Sequence, residues 1–157
     1  MKVVSLFSGC GGTDLGFILA GHEVVYANDF NKWACETYKK NLPQVKVVND
    51  NIRNIKEFPS ADVLVGCYPC QGFSIAGKRD PNDNRNMLYL EFARALRIIQ
   101  PKFFVTENVK GVINKKNVRI FKNMLKLFRK IGYNVNYKLL NAKNYGVPQD
   151  RDNDGYL

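Results

Sequence analysis

The sequence predicts an α/β fold: a doubly wound, mostly parallel sheet with helices on both faces. Two observations carry this. Short β-branched runs alternate with segments of helical period, and the strand-like runs end in glycine-rich or polar turns. The 157 residues, 45% hydrophobic with ten Phe and eight Tyr, suffice for one domain with a substantial core. The chain has no internal repeat, low-complexity tract or linker.

Each element has its own signal. KVVSLF (2–7) reads as a buried strand ending in SGCGG. Residues 13–20 suit a helix, and HEVVYAND (22–29) a second strand. NKWACETYKKN (31–41) is helical, with Asn31 as its cap. VKVV (45–48) and ADVLVG (61–66) are short strands. In MLYLEFARALRII (87–99), Leu88, Phe92, Ala95, Leu96 and Ile99 share one helical face. PKFFVTEN (101–108) is a strand opened by proline. NVRIFKNMLKLFRKIG (117–132) is a helix closed by Gly132, and YNVNYKLLN (133–141) a strand.

Composition narrows the function classes. Met1-Lys2 leads straight into a short apolar run that meets glycines, unlike a signal peptide, and no apolar stretch approaches a membrane span. Four cysteines without framework spacing fit a reducing cytosol. A net charge of +10 favours a polyanionic partner.

In parallel sheets, ligands gather at the carboxyl ends of the strands, and three such junctions stand out. FSGCGG (7–12) turns tightly into a helix N-terminus, and Asp29 ends the next strand twenty residues after Gly9. That carboxylate suits ribose hydroxyls, although Asp14 breaks the dinucleotide fingerprint; a tight turn without a ligand accounts for the same residues. GCYPCQGFS (66–74) places Cys67 and Cys70 at C-x-x-C spacing. A zinc site lacks partners, because Cys10 and Cys35 are isolated and His22 is the only histidine. A redox pair lacks the helix that would lower a thiol pKa. A nucleophile at Cys70 and simple packing both stay open, with Cys67 read as packing. TENV (106–109) brings Glu107 out of an apolar strand, which suits a raised pKa and a proton donor, or else a satisfied surface carboxylate.

Taken in order, FSGCGG, Asp29-Phe30, PCQGFS (69–74), ENV (107–109) and GVPQ-x-R (146–151) strongly resemble the cytosine carbon-5 DNA methyltransferases, from about residue 2 to 151. The resemblance implies a Rossmann-like core dependent on S-adenosylmethionine. It implies that Cys70 adds to carbon 6 of a cytosine flipped out of duplex DNA, with Glu107 at the ring nitrogen and exocyclic amine. Asn108 would orient the cysteine loop, Arg151 would contact the target base, and Gln71 and Ser74 would belong to a closing loop. Phe7, Gly9, Gly11, Gly12, Ile52, Pro69 and Leu88 would line the cofactor. Asp29 would hold its ribose and Phe30 stack on its adenine. Asn51 stands where the family has Asp accepting from the adenine amine; its carbonyl or neighbouring Asp50 would serve instead. Lys78 and Arg79 would meet DNA phosphates. No metal or membrane is implied, and the location would be cytoplasmic and nucleoid-associated, or nuclear in a eukaryote.

The sequence also departs from the family. The Q-x-R-x-R pattern becomes Gln149-Asp150-Arg151-Asp152-Asn153, and the chain ends in DNDGYL. That ending is expected to form no buried strand, leaving the last strand missing and the 157 residues an incomplete catalytic domain without a target-recognition domain. A complementing subunit is then expected, and the chain alone is expected to be inactive and of marginal stability. Methylation of cytosine in transfer RNA and a non-catalytic nucleic-acid-binding or assembly subunit are the rival readings. From Lys110 to Lys130 there are eight Lys/Arg and no acid. Arg119, Lys122, Lys126 and Arg129 track one side of the helix, and Ile120, Met124, Leu127 and Ile131 the other. The basic side is read as a solvated face in preference to a phosphate contact.

Overall fold

A computed structural model of the chain describes residues 1–69, 87–115, 117–149 and the backbone of 152–156. It divides into two compact units, Met1–Cys67 with Arg94–Phe104, and Tyr68–Ala93 with Val105–Leu157.

The first unit begins with β1 (Lys2–Leu6), α1 (Gly12–Leu19), β2 (Glu23–Asp29), α2 (Lys32–Asn41) and β3 (Lys46–Asn49). A short 3₁₀ turn at Ile52–Asn54 and strand β4 (Val63–Gly66) follow. The strands pair in parallel, as the alternation of strand and helix predicts, and their order is β3-β2-β1-β4. Val3 to Leu6 and all of β4 are buried, which fits parallel strands covered on both faces. Asn31 caps α2 as expected, its side chain accepting from the Ala34 N–H at 3.1 Å.

Helix α3 (Tyr89–Ile99) and strand β5 (Phe103–Val109) each contribute residues to both units. The second unit continues with α4 (Val118–Ile131), β6 (Tyr137–Asn141) and β7 (Asp152–Tyr156). Its core is aromatic. Phe92 packs against Phe128 with ring centroids 5.8 Å apart at 74°, and Tyr68 lies 5.8 Å from Phe92. Phe121 meets Tyr137 edge-on at 5.1 Å. These tilted geometries suit the aromatic quadrupole.

Three expectations need correction. DNDGYL, expected to form no buried strand, supplies β7, so the last strand is not missing: Asp152–Tyr156 pairs antiparallel with both β5 and β6. Ladder bonds come from the main chain and need no apolar side chain; what hydrophobicity decides is which faces can be buried. The apolar stripe of α4 centres on Phe121, Met124, Leu125 and Phe128, which are buried, while Ile120, Leu127 and Ile131 are half-buried at its flanks. Strand β6 begins at Tyr137, because residues 133–136 first bring the chain round from Gly132, with Val135 turned inward.

Phe128 is 2% exposed at the centre of the aromatic cluster. Phe128→Ala should cost about 3–5 kcal/mol in urea denaturation, whereas Lys126→Ala, on the outer side of the same helix, should stay within about 0.5 kcal/mol.

Candidate active site

In the first unit the chain leaves β1 through a strained turn. Phe7 has φ 57°, a left-handed conformation that bulky residues seldom adopt, and Gly9 and Gly11 follow at 55° and 92°. The turn is pinned to the end of β2. Ser8 N–H donates to the Asn28 carbonyl at 3.0 Å, and Gly9 N–H donates to Asp29 Oδ2 at 2.9 Å. Asp29 Oδ1 accepts from Asn31 N–H at 2.8 Å. One half-buried carboxylate therefore joins the glycine turn to the start of α2. Each of its oxygens keeps a further lone pair for a ligand hydroxyl.

Beneath the turn lies a contact that sequence reasoning did not find. A β-carbon on Gly11 would sit 2.8 Å from Tyr38 Cε2 and 2.9 Å from Cδ2. Tyr38 is fully buried, and its hydroxyl donates to Asp14 Oδ2 at 2.7 Å. Burial pushes the Asp14 carboxyl up from the ordinary carboxylate range, against the pull of Tyr38 and then Ser5. The Tyr38 hydroxyl is pushed up too, by burial first and then by Asp14. No local pattern announces this pairing, since the two residues are 24 positions apart on different helices.

Above the turn there is room. A β-carbon on Gly9 or Gly12 would meet nothing within 4 Å, and the Phe30 ring beside Asp29 is 73% exposed. An open glycine backbone, a carboxylate and an uncovered aromatic face form a set that a nucleoside could occupy. Asn51 caps the turn that follows it and keeps a further lone pair on its side-chain oxygen. Its side-chain oxygen accepts from Arg53 N–H at 3.1 Å, capping the 3₁₀ turn, while Asp50 Oδ1 accepts from Asn51 N–H and from Asn54 Nδ2. Ile52 is buried, and its carbonyl accepts from Arg94 Nη2 at 2.8 Å. Cys67 is half-buried, with its Sγ 3.6 Å from Thr13 Oγ1.

In the second unit, Glu107 and Asn108 lie on β5, as the sequence predicts. Glu107 is half-buried and Asn108 buried, its Oδ1 accepting from the Val109 N–H at 2.9 Å. Pro69 and Leu88 are half-buried, and the Leu88 carbonyl accepts from Glu91 and Phe92 at the start of α3. Cys70, Gln71, Ser74, Lys78, Arg79 and Arg151 lie outside the described residues. Among the described residues, no three His, Cys, Asp or Glu side chains are grouped to hold a metal ion, and no helix is long and apolar enough to cross a membrane.

Two predictions follow from this geometry. Gly9→Ala introduces left-handed strain alone, about 1–2 kcal/mol, whereas Gly11→Ala adds overpacking against Tyr38 of about 1–3 kcal/mol; urea denaturation should rank them so. The second concerns pH. The folded chain holds the Asp14 proton more tightly than the unfolded chain, so the stability this proton contributes is complete below the ordinary value of 3.8 and is lost as pH rises through the folded value. Asp14→Asn keeps an acceptor for Tyr38 and does not ionise. Its thermal unfolding should match the wild type at acid pH and exceed it near neutrality; a lower neutral midpoint would contradict the assignment.

Comparison with known proteins places the chain. The family profile described as C-5 cytosine-specific DNA methylase matches residues 1–153. The Type II methyltransferase M.FnuDI of Fusobacterium nucleatum is 49% identical over 160 residues, covering 100% of this chain and 46% of that protein. M.BspRI of Lysinibacillus sphaericus is 43% identical, over 96% of this chain and 42% of its own length. The chain thus spans about half the length of these relatives. Among solved structures, a prophage-encoded DNA modification methyltransferase (E. coli) superposes with a TM-score of 0.85 at 31% identity, over 99% of this chain and 45% of the other. The S. pombe Dnmt2 methyltransferase gives 0.78 at 26% identity, over 99% of this chain and 50% of the other. The chain belongs to the C-5 cytosine-specific DNA methylase family.

Proposed function

We propose that the chain supplies the cofactor pocket and catalytic residues of a DNA (cytosine-5)-methyltransferase. The observation that carries this reading is the glycine turn: its outer side is open at Gly9 and Gly12, its inner side is filled by Tyr38, and a carboxylate and an exposed aromatic ring flank it. The residues fit S-adenosylmethionine. Phe7, Gly9, Gly11 and Gly12 would follow its chain, Asp29 its ribose hydroxyls and Phe30 its adenine, with Asn51, Ile52, Pro69 and Leu88 at the remaining edges. When bound, the cofactor supplies a methyl group made electrophilic by its sulfonium.

The chain's own residues activate the other reactant. Cytosine carbon 5 is a weak nucleophile. Addition of the Cys70 thiolate to carbon 6 moves an electron pair to carbon 5 and gives it enamine character. Negative charge meanwhile grows at the ring nitrogen, where Glu107 donates a proton. After methylation, the carbon-5 proton passes to solvent, the thiolate departs, and the ring nitrogen returns its proton to Glu107, which restores the aromatic ring. Asn108 would hold the cysteine loop, Gln71 and Ser74 would close it over the base, and Arg151 would contact the target cytosine. A base held in the duplex stack presents no face to an attacking thiol, so the cytosine would have to leave the duplex. Lys78 and Arg79 would hold the phosphates flanking the vacated position. Reading of the DNA sequence would fall to the part of the relatives' length that this chain does not span, on the same or a second polypeptide. The restriction-modification relatives suit action on DNA in the cytoplasm.

The test is mechanism-based trapping. A duplex carrying 5-fluorocytosine cannot lose its carbon-5 substituent after methylation, so the thiol stays bound. With S-adenosylmethionine, and with the downstream polypeptide where one is encoded, the wild type should form a denaturant-stable adduct. Cys70→Ser should form none while still binding the cofactor in calorimetry, and Glu107→Gln should slow adduct formation at least a hundredfold. An adduct of wild-type yield on Cys70→Ser would sink the proposal.

A further inference from the structure

We infer that the outer face of α4 is a sequence-independent docking surface for duplex DNA, separate from any base-reading element. From Asn108 to Gln149 the chain carries ten Lys or Arg and no Asp or Glu. Within α4, Arg119, Lys122, Lys126, Arg129 and Lys130 are exposed. At 100° per residue they fall within an arc of about 100°, roughly opposite the buried Phe121, Met124, Leu125 and Phe128.

Helix stability does not explain this arrangement. Lys122 with Lys126, and Lys126 with Lys130, are like charges at i,i+4, a spacing that destabilises a helix. Arg119 stands in the first turn, where the helix dipole disfavours a cation, and that turn has no acidic residue. Arg129 reaches the Val135 carbonyl at 3.2 Å, but Arg119, Lys122, Lys126 and Lys130 make no ion pair or hydrogen bond among the described residues. Helix α2 shows the ordinary alternative: its Lys32 lies 3.9 Å from Glu36 at i,i+4. A row of unpaired cations with one sign is what a polyanion recognises.

Geometry selects the polyanion. The twelve residues from Arg119 to Lys130 span about 16 Å of helix, a length over which one strand of B-DNA presents about five phosphates. A membrane surface is a poorer match, because an interfacial helix needs its apolar face free and that of α4 is buried in the core. The face carries no hydrogen-bonding side chain other than cations and Asn123, so it would grip backbone and leave bases unread.

The experiment measures binding without catalysis, and so its outcome is separate from that of the methylation reading. Dissociation constants of the chain for two unrelated 20-base-pair duplexes would be taken across potassium chloride concentrations. A variant combining Arg119→Gln, Lys122→Gln, Lys126→Gln and Lys130→Gln should lower the slope of log Kd against log salt by about 2–4, at about 0.9 per lost phosphate contact, equally on both sequences. Arg119→Lys with Lys122→Arg, Lys126→Arg and Lys130→Arg should keep the wild-type slope, which separates charge from folding. An unchanged slope in the glutamine variant would overturn the inference, as would a loss confined to an RNA hairpin with duplex DNA unaffected.

Discussion

Gly11 lies so close to the Tyr38 ring that a single added carbon would collide with it at 2.8 Å, and the rest of the first unit's rim is arranged around that approach. The ring can sit there because its hydroxyl is satisfied by Asp14, which itself belongs to the first turn of α1. The helix that the glycine turn opens thus reaches across to α2 and fixes the floor on which the turn rests. A buried tyrosine without its acceptor, or a buried carboxylate without its donor, would each be costly. Together they let the backbone at Gly9 and Gly11 keep left-handed angles, with an open outer surface at Gly9 and Gly12.

A second set of bonds fixes the turn laterally. Asn28, almost fully buried near the end of β2, donates through Nδ2 to the Val48 and Asp50 carbonyls. The Asp29 carbonyl accepts from Asp50 N–H and Asn49 Nδ2, while its side chain holds Gly9 and Asn31. The carboxyl ends of β1, β2 and β3 are thereby joined by polar side chains where regular ladder bonds stop. Parallel strands place such loose ends together, and a ligand that can accept and donate there meets groups already held in position. The strain at Phe7 belongs to the same economy: a bulky residue at φ 57° persists because the bonds on either side of it over-determine its backbone.

Much of this was legible in the sequence, for definable reasons. The buried strands announce themselves because Val3, Val4, Leu6 and Val63–Val65 are β-branched or aliphatic, and Asn31 reads as a cap because its chemistry is local. The family motifs place the glycine turn and Asp29 at strand ends, where the structure has them, and Glu107 on a strand that runs two residues further. What escaped depends on distance along the chain or on backbone alone. Asp14 and Tyr38 meet only when two helices pack, so neither residue's neighbours reveal the pair. Strand β7 escaped because its pairing partners, β5 and β6, use main-chain groups that every residue of DNDGY also possesses. The centre of the α4 stripe shifted by one residue because Ile120 and Phe121 are both apolar, and periodicity alone does not rank them. The cap that Asn51 provides is an addition to its expected place beside a ligand, since an Asn preceding a short turn can serve both.

The nucleoside site proposed for the first unit consists of the glycine turn, Asp29 with Phe30, and the turn after Asp50. The most direct test is a titration of the isotope-labelled chain with S-adenosylmethionine, followed through backbone amide resonances. The largest shifts are expected at residues 7–12, 29–31 and 50–52, with the amides of α4 unmoved. If those three segments stayed still while others responded, or if nothing moved at millimolar cofactor, the site would not be where the glycine turn puts it.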